Sequence, residues 1–270
     1  MKDLNWYFPK SIAEAVDLVQ QGKIFPHAGG TGLLSRGFTG INGLVDLSRL
    51  PLHYSKIEND SVEIGSMNTY AEAVSVLMKV DPEHILVKSL RNSANTPLRN
   101  RITIGGSIAY FPPWSDLMSA LLALDADVML IGENDGQFPV EEYVNDKDVR
   151  DKSLIIAVKF NLSNWRSYHY RDIRTKSDYP AFNITILLKQ SLNKIEDCRV
   201  IIVGTGKKYS RLTNIEKYLI NRDVGKINIE EIEKLVEVKF AGKRIDDPEY
   251  SSYLAGVELG RGVEQILRGH

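Results

Sequence analysis

The sequence predicts an α+β protein, and two observations carry that expectation. Beyond a polar stretch at Asn161–Trp165, three strand-like runs (Trp165–Arg171, Ala181–Lys189, Cys198–Val203) come first. Three helix starts follow, at Thr213-x-x-Glu216, Asn228-x-x-Glu231 and Asp247-Pro248. Strands in meander order and then helices predict a small unit with a three-stranded antiparallel sheet and three helices. Upstream, strand signals run into glycine-rich turns with little room for full crossover helices, which argues against a doubly wound sheet. We therefore place domain boundaries at 1–163, with subdomains of about 1–52 and 53–163, and at 164–270.

The elements justify themselves in order. Ser11-Ile12-Ala13-Glu14 is a capping box that opens a helix with Ile12, Ala15, Val16 and Val19 on one face, stopped at Gly22. Ile24–Phe38 reads as strand, glycine loop and short helix, and Gly43–Leu47 as the next strand. Ser35 stands where a dinucleotide fingerprint would carry its third glycine, and Asp46 follows too soon for its ribose-binding acid. Ser55–Ile64 predicts two short strands around Glu58-Asn59-Asp60. Thr69-x-x-Glu72 opens a helix with Val74, Leu77 and Met78 on one side, and Asp81-Pro82 another through Ile85, Leu86 and Leu90. Asp127–Ile131 and Ser153–Phe160 are strands, with Asn134-Asp135-Gly136 as a hairpin turn.

Composition bounds the function. The 34 basic and 35 acidic residues leave a formal net charge of −1, which gives no field to recruit nucleic acid or an anionic membrane. No run is long enough to span a bilayer. Met1–Pro9 lacks the basic start and apolar core of a signal peptide, so the expected compartment is the cytoplasm. Cys198 is the single cysteine; no disulfide forms within the chain, and the chain cannot ligate an iron–sulfur cluster alone. The five histidines are scattered. With no nucleophile–base order and no paired metal ligands, we expect no catalytic side chain and no metal site.

Two stretches concentrate glycine. Asn100–Asp116 reads N-R-I-T-I-G-G-S-I-A-Y-F-P-P-W-S-D: an extended run ending at Gly105-Gly106, then Pro112-Pro113, then Ser115 as the cap of an apolar helix over Leu117–Leu124. Ile24–Leu34 reads I-F-P-H-A-G-G-T-G-L-L, a strand followed by Gly29, Gly30 and Gly32. Two such turns can converge backbone N–H groups on one anion, and a diphosphate suits them because its oxygens accept many bonds from donors without bulk.

The pair A-G-G-T-x-L and R-N-x-x-T-I-G-G-x-I-A, followed by P-x-S-D, resembles the FAD-binding medium subunit of the molybdenum hydroxylases, the carbon monoxide dehydrogenase and xanthine dehydrogenase type. The likeness covers essentially the whole chain. It implies a two-part FAD-binding domain of the vanillyl-alcohol oxidase / p-cresol methylhydroxylase type ahead of the C-terminal subdomain. It also implies an electron-transfer role: electrons arrive from an iron–sulfur small subunit, a molybdopterin-binding large subunit oxidises substrate, and the flavin passes them to an acceptor such as NAD, quinone or oxygen. Molybdopterin and iron–sulfur clusters are expected on partner chains alone.

By the same resemblance, Pro26, His27, Ala28, Gly29, Gly30, Thr31, Gly32 and Leu33 form the first FAD loop, and Thr103, Ile104, Gly105, Gly106 and Ser107 the second. Asp116 matches the family's P-x-S-D acid. The stretch Tyr170–Tyr179 is similar to a segment that reaches back over the flavin; Arg171 aligns with a usual lysine, Asp178-Tyr179 with a pair that can gate the ring, and Leu154 with a contact at its edge. The covalent-anchor position of the wider superfamily follows the glycine pair, where Thr31-Gly32 stands, so FAD is expected to be non-covalent. The chain departs from the pattern at Gly32, where an acidic or polar residue is commoner, and at Ser107, where asparagine is. Gly204–Lys208 lacks a phosphate-loop ending and reads as a strand-end turn. Two other readings compete: a free-standing flavin oxidoreductase, which needs its own acid or base, and an assembly subunit without flavin.

Overall fold

A computed structural model of the chain describes residues 4–176, 178–242 and 244–269. Ser177, within the segment read as reaching over the cofactor, and His270 lie outside the described residues. The chain forms two compact units that alternate along the sequence. The first comprises the chain up to Val76, Ala94–Phe111 and Asp125–Leu162; the second comprises Leu77–Ser93, Pro112–Leu124 and the chain from Ser163 on. The last crossing falls between Leu162 and Ser163, and the two earlier excursions add a pair of helices to the second unit.

The first unit begins with β1 (Asn5–Tyr7), α1 (Ile12–Gln20), β2 (Ile24–His27), α2 (Thr31–Arg36) and β3 (Gly43–Asp46). The three strands form a parallel sheet in the order β1-β3-β2. Ser11 caps α1 by accepting from Glu14 N–H at 3.1 Å, and Ala15 and Val16 pack with Ile24, Val45, Leu47 and Leu154 in a buried cluster. Next come β4 (Ser55–Glu58), β5 (Ser61–Gly65) and α3 (Tyr70–Leu77), whose capping box closes through Thr69 and Glu72 at 2.7–3.3 Å. Met78, expected on this helix, lies past its end and is 39% exposed.

The chain then enters the second unit for α4 (Ile85–Arg91). This helix begins three residues later than its Asp81-Pro82 signal. Asp81 instead holds Glu83 N–H in a turn at 2.9 Å, and His84 is the cap, its Nδ1 accepting from Leu86 N–H at 3.3 Å. Back in the first unit are α5 (Thr96–Arg99) and α6 (Ile104–Tyr110). Here the sequence expectation is corrected: Ile104, Gly105 and Gly106 are the first turn of a helix, not the end of a strand. Thr103 keeps one bridge to Thr69 and caps α6 through its hydroxyl, at 3.3 Å from Gly106 N. Phe111, at φ 32°, ends the helix before Pro112.

In the second unit, α7 (Asp116–Ala123) is capped by Ser115 as expected and buried along its whole length. The first unit closes with β6 (Asp127–Gly132), β7 (Gly136–Pro139), α8 (Val140–Asn145), α9 (Lys147–Arg150) and β8 (Ser153–Asn161), giving an antiparallel sheet in the order β4-β5-β8-β6-β7.

The second unit continues with β9 (Arg166–Arg171), β10 (Asn183–Ser191), β11 (Lys194–Thr205) and β12 (Lys208–Arg211). They pair antiparallel in the order β12-β11-β10-β9, so the C-terminal sheet has four strands, not three. The Gly204–Lys208 turn is the hairpin that returns the fourth. Its strand is short, and three of the eight residues at Gly204–Arg211 are basic, which hides it from a hydrophobic pattern. The three expected helices are α10 (Thr213–Leu219), α11 (Ile229–Lys234) and α12 (Pro248–Arg268). Leu259, Val263 and Ile266 of α12 pack with Ile184, Ile186 and Leu188 of β10 in one buried cluster. Among the described residues no helix is long and apolar enough to cross a membrane.

The His84 cap makes stability pH-dependent. Burial pushes its pKa down from 6.5 to about 4, so the folded chain holds it neutral. The unfolded chain takes up a proton first as pH falls. Stability is therefore full above 6.5 and declines by up to about 3 kcal/mol as pH falls to about 4. Urea unfolding of His84→Asn against wild type should show that part of the acid sensitivity removed.

Candidate functional site

The first glycine loop leaves β2 at His27 and enters α2 at Thr31. Gly30 turns the chain with φ 75°, a left-handed conformation that favours glycine, and no side chain caps the helix that follows. The leading N–H groups of α2 therefore have no intrahelical acceptor and no capping oxygen. Gly29 is constrained differently. A Cβ on it would stand 1.7 Å from the carbonyl oxygen of Arg101 and 3.6 Å from Thr103 Cγ2. Arg101 Nη2 also donates to the Gly29 carbonyl at 3.2 Å. The two motifs, some seventy residues apart, thus cross backbone to backbone at a point where only glycine fits.

The second motif does not offer its amides as expected. Ile104 N–H donates to Asn68 O and Gly105 N–H to Ser66 O, both at 2.9 Å; Ser107 N–H donates to Thr103 O at 3.0 Å, and Gly106 N–H is the one capped by Thr103. Its glycines serve close packing: a Cβ on Gly105 would lie 2.6 Å from Ser66 Cβ. Thr103 and Ser107 are both buried. Leu154 sits in the hydrophobic cluster of the first unit beside Ile24 and Val45. His27 Nδ1 is 3.9 Å from Asp46 Oδ2. Burial, the largest effect, lowers the imidazole pKa, with Arg101 adding to it and Asp46 opposing, so the ring is neutral near pH 7 and this contact is not an ion pair.

In the second unit Asp116 is the centre of a buried polar group. One carboxylate oxygen accepts from Arg171 Nε at 2.9 Å and contacts His169 Nε2 at 3.2 Å, and the three side chains are 4, 9 and 2% exposed. Arg171 also donates to the carbonyls of Asn92 at 2.7 Å and Ser93 at 3.3 Å, so it fastens β9 to the end of α4. His169 Nδ1 reaches Thr185 Oγ1 at 3.1 Å, which meets Ser119 Oγ at 3.0 Å. Nearby in chain order, Tyr179 packs against Trp114 with ring centroids 4.9 Å apart and planes tilted by 36°, and the Arg244 guanidinium lies over both rings. Asp178 accepts from Arg244 Nη2 at 2.6 Å and Arg174 Nε at 3.3 Å; the Arg244 bond is the main reason its carboxyl stays below its ordinary range.

Sequence reasoning named Asp116, Arg171, Asp178 and Tyr179 but missed His169, Trp114 and Arg244. His169 had a readable signal, since it lies two residues before Arg171 and so on the same face of a strand. Arg244 had none. Among the described residues no group of three or more His, Cys, Asp or Glu is placed to hold a metal.

The family model described as "FAD binding domain in molybdopterin dehydrogenase" matches residues 2–160. The chain belongs to that family. Among its relatives, the glyceraldehyde dehydrogenase medium chain of Sulfolobus acidocaldarius is 24% identical over 231 residues, 82% of each protein. The carbon monoxide dehydrogenase medium chain of Hydrogenophaga pseudoflava is 26% identical over 238 residues, 82% of this chain and 78% of that one. Solved structures of quinoline 2-oxidoreductase from Pseudomonas putida 86 and of reconstituted carbon monoxide dehydrogenase from Oligotropha carboxidovorans each superpose with a TM-score of 0.88. The first is 17% identical and covers 99% of this chain and 98% of that one; the second is 22% identical and covers 98% of each. The chain therefore shares the fold of these structures. The residues present fit the cofactor: no side chain caps α2, Gly30 supplies the turn, and Gly29 lets the loop pass the Arg101 carbonyl.

Replacing Asp116 with Asn should leave the buried Arg171 without its anion. Breaking such a pair costs about 3–5 kcal/mol, so D116N should melt well below wild type. D116E, which keeps the charge, should recover part of the loss in the same calorimetric scan.

Proposed function

We propose that this chain is the FAD-binding, electron-transfer subunit of a molybdenum-dependent dehydrogenase. An iron–sulfur subunit delivers electrons to it, and an acceptor such as NAD, quinone or oxygen withdraws them. The observation that carries the reading is the crossing of the two glycine motifs at Gly29 within a chain of this family.

FAD, when bound, stores two electrons and can exchange them singly or as a hydride. The chain's own residues bind and orient. Amides of Gly30–Leu33 face the diphosphate, with Pro26, His27 and Ala28 setting the approach of the loop. Thr103 and Ser107 supply hydroxyls to the ribityl chain or ring. Asp116 and Arg171 act as positioning residues that hold α7 and β9, and Tyr179, backed by Trp114 and Arg244, limits access to the ring. Binding is non-covalent. Cys198 supports the division of labour: it is fully buried in β11, and burial pushes its thiol pKa far up, so it is no cluster ligand. A molybdopterin-binding large subunit and an iron–sulfur small subunit must then carry the other centres.

Rapid mixing tests the relay. Substrate of the assembled complex should bleach the oxidised-flavin absorbance only when both partner subunits are present. Equal bleaching of this chain alone would favour a free-standing flavin enzyme.

A further inference from the structure

The imidazole of His27 is wedged between the glycine loop and an acid. Its Nε2 lies 2.8 Å from where a Cβ on Gly30 would stand, so the ring floors the left-handed turn. On its other side Nδ1 is buried, makes no hydrogen bond, and faces Asp46 Oδ2 across 3.9 Å. That gap is too long for a hydrogen bond, and a buried ring nitrogen without a partner costs stability. Asp46 is held in place by Ser48 N–H, which donates to its other oxygen at 2.8 Å. From β1 the ring meets the uncharged edge of Trp6, and from the segment ahead of α6 the cation Arg101. A neutral histidine is thus set with one nitrogen against the loop and the other aimed at a carboxylate that it does not use.

We propose that His27 is a charged binding residue for the cofactor's diphosphate: it takes up one proton from solvent as the anion settles on the Gly29–Gly30 loop, and is then held as an imidazolium between the anion and Asp46. This rests on reading the loop as the diphosphate site and adds a side-chain partner and a proton to it. No bond to the ligand forms.

The sign follows from linkage. Burial and Arg101 keep the ring's pKa below 6.5 in the free chain, and a neighbouring anion raises it. Between the two values, binding takes up a proton, so affinity is greatest at low pH and falls as pH rises. The fall approaches tenfold per pH unit within that window, about 1.4 kcal/mol per unit. The diphosphate of FAD is a diester with no oxygen titrating near neutrality, so the ligand itself adds no slope there.

The full-length chain, stripped of cofactor, should be titrated with FAD by fluorescence quenching from about pH 5 to about pH 9, the range that brackets an imidazole. Wild type should weaken toward tenfold per unit over part of the range. His27→Gln should bind with little pH dependence, at an affinity near that of wild type at high pH. Asp46→Asn should shift the fall to lower pH. Calorimetric titration of wild type in two buffers of different ionisation heat should count one proton taken up at most, with its maximum inside the window. Zero proton uptake, or equal slopes in wild type and His27→Gln, would overturn the inference and leave the diphosphate site standing. Wild type that binds no FAD at any pH would remove the site and the inference together.

Discussion

Gly29 approaches the Arg101 carbonyl so closely that a single methyl group could not be inserted. Most features of the first unit can be understood from that contact. The chain reaches it from one side along the parallel strand β2 and from the other through α5 and the cap of α6. Because Arg101 returns a hydrogen bond to the Gly29 carbonyl, the two segments are fixed in register. The following residues, Gly30 and Gly32, lie against rings: a Cβ there would meet the His27 ring at 2.8 Å and the Tyr110 ring at 3.1 Å. A loop of this kind selects a ligand by geometry and donor density. It needs no catalytic side chain, which agrees with an oxidoreductase whose chemistry resides in its cofactor.

The second unit solves a different problem. It buries a carboxylate, a guanidinium and an imidazole within a few ångströms of one another. Ions in an interior are tolerated when each is paired and hydrogen-bonded; Asp116 and Arg171 meet that condition, and His169 adds a hydrogen-bonding contact, through α4, α7, β9 and β10. Such a group is a weak source of stability and a strong source of position. The nearby Trp114, Tyr179 and Arg244 extend the same strategy to the surface: a half-exposed tyrosine is ordered by a ring on one side and a cation on the other.

Much of this was legible in the sequence, and the failures have physical causes. Caps at Ser11, Thr69 and Ser115 announced their helices because a hydroxyl three residues from an amide is a local device. The Ile102–Ile104 run misled because β-branched residues favour strands in general, whereas here Thr103 caps a helix and Ile104 buries within it. His84 took over the cap from Asp81, which had been captured by its own turn. The fourth strand of the C-terminal sheet hid behind its lysines. The glycine motifs were visible, but the division of labour between them was not. Whether an N–H is spent or spare depends on Ser66 and Asn68, which lie in another part of the chain.

The central claim is that the Gly29 crossing builds the FAD site. The most direct measurement is the visible spectrum and FAD content of the purified chain beside its Gly29→Ala variant, with circular dichroism to confirm that both are folded. The account predicts a yellow wild type that releases about one FAD per chain on heating, and a folded variant with little or none. A folded Gly29→Ala that retains a full complement of FAD, or a wild type that remains colourless with FAD in excess, would contradict it.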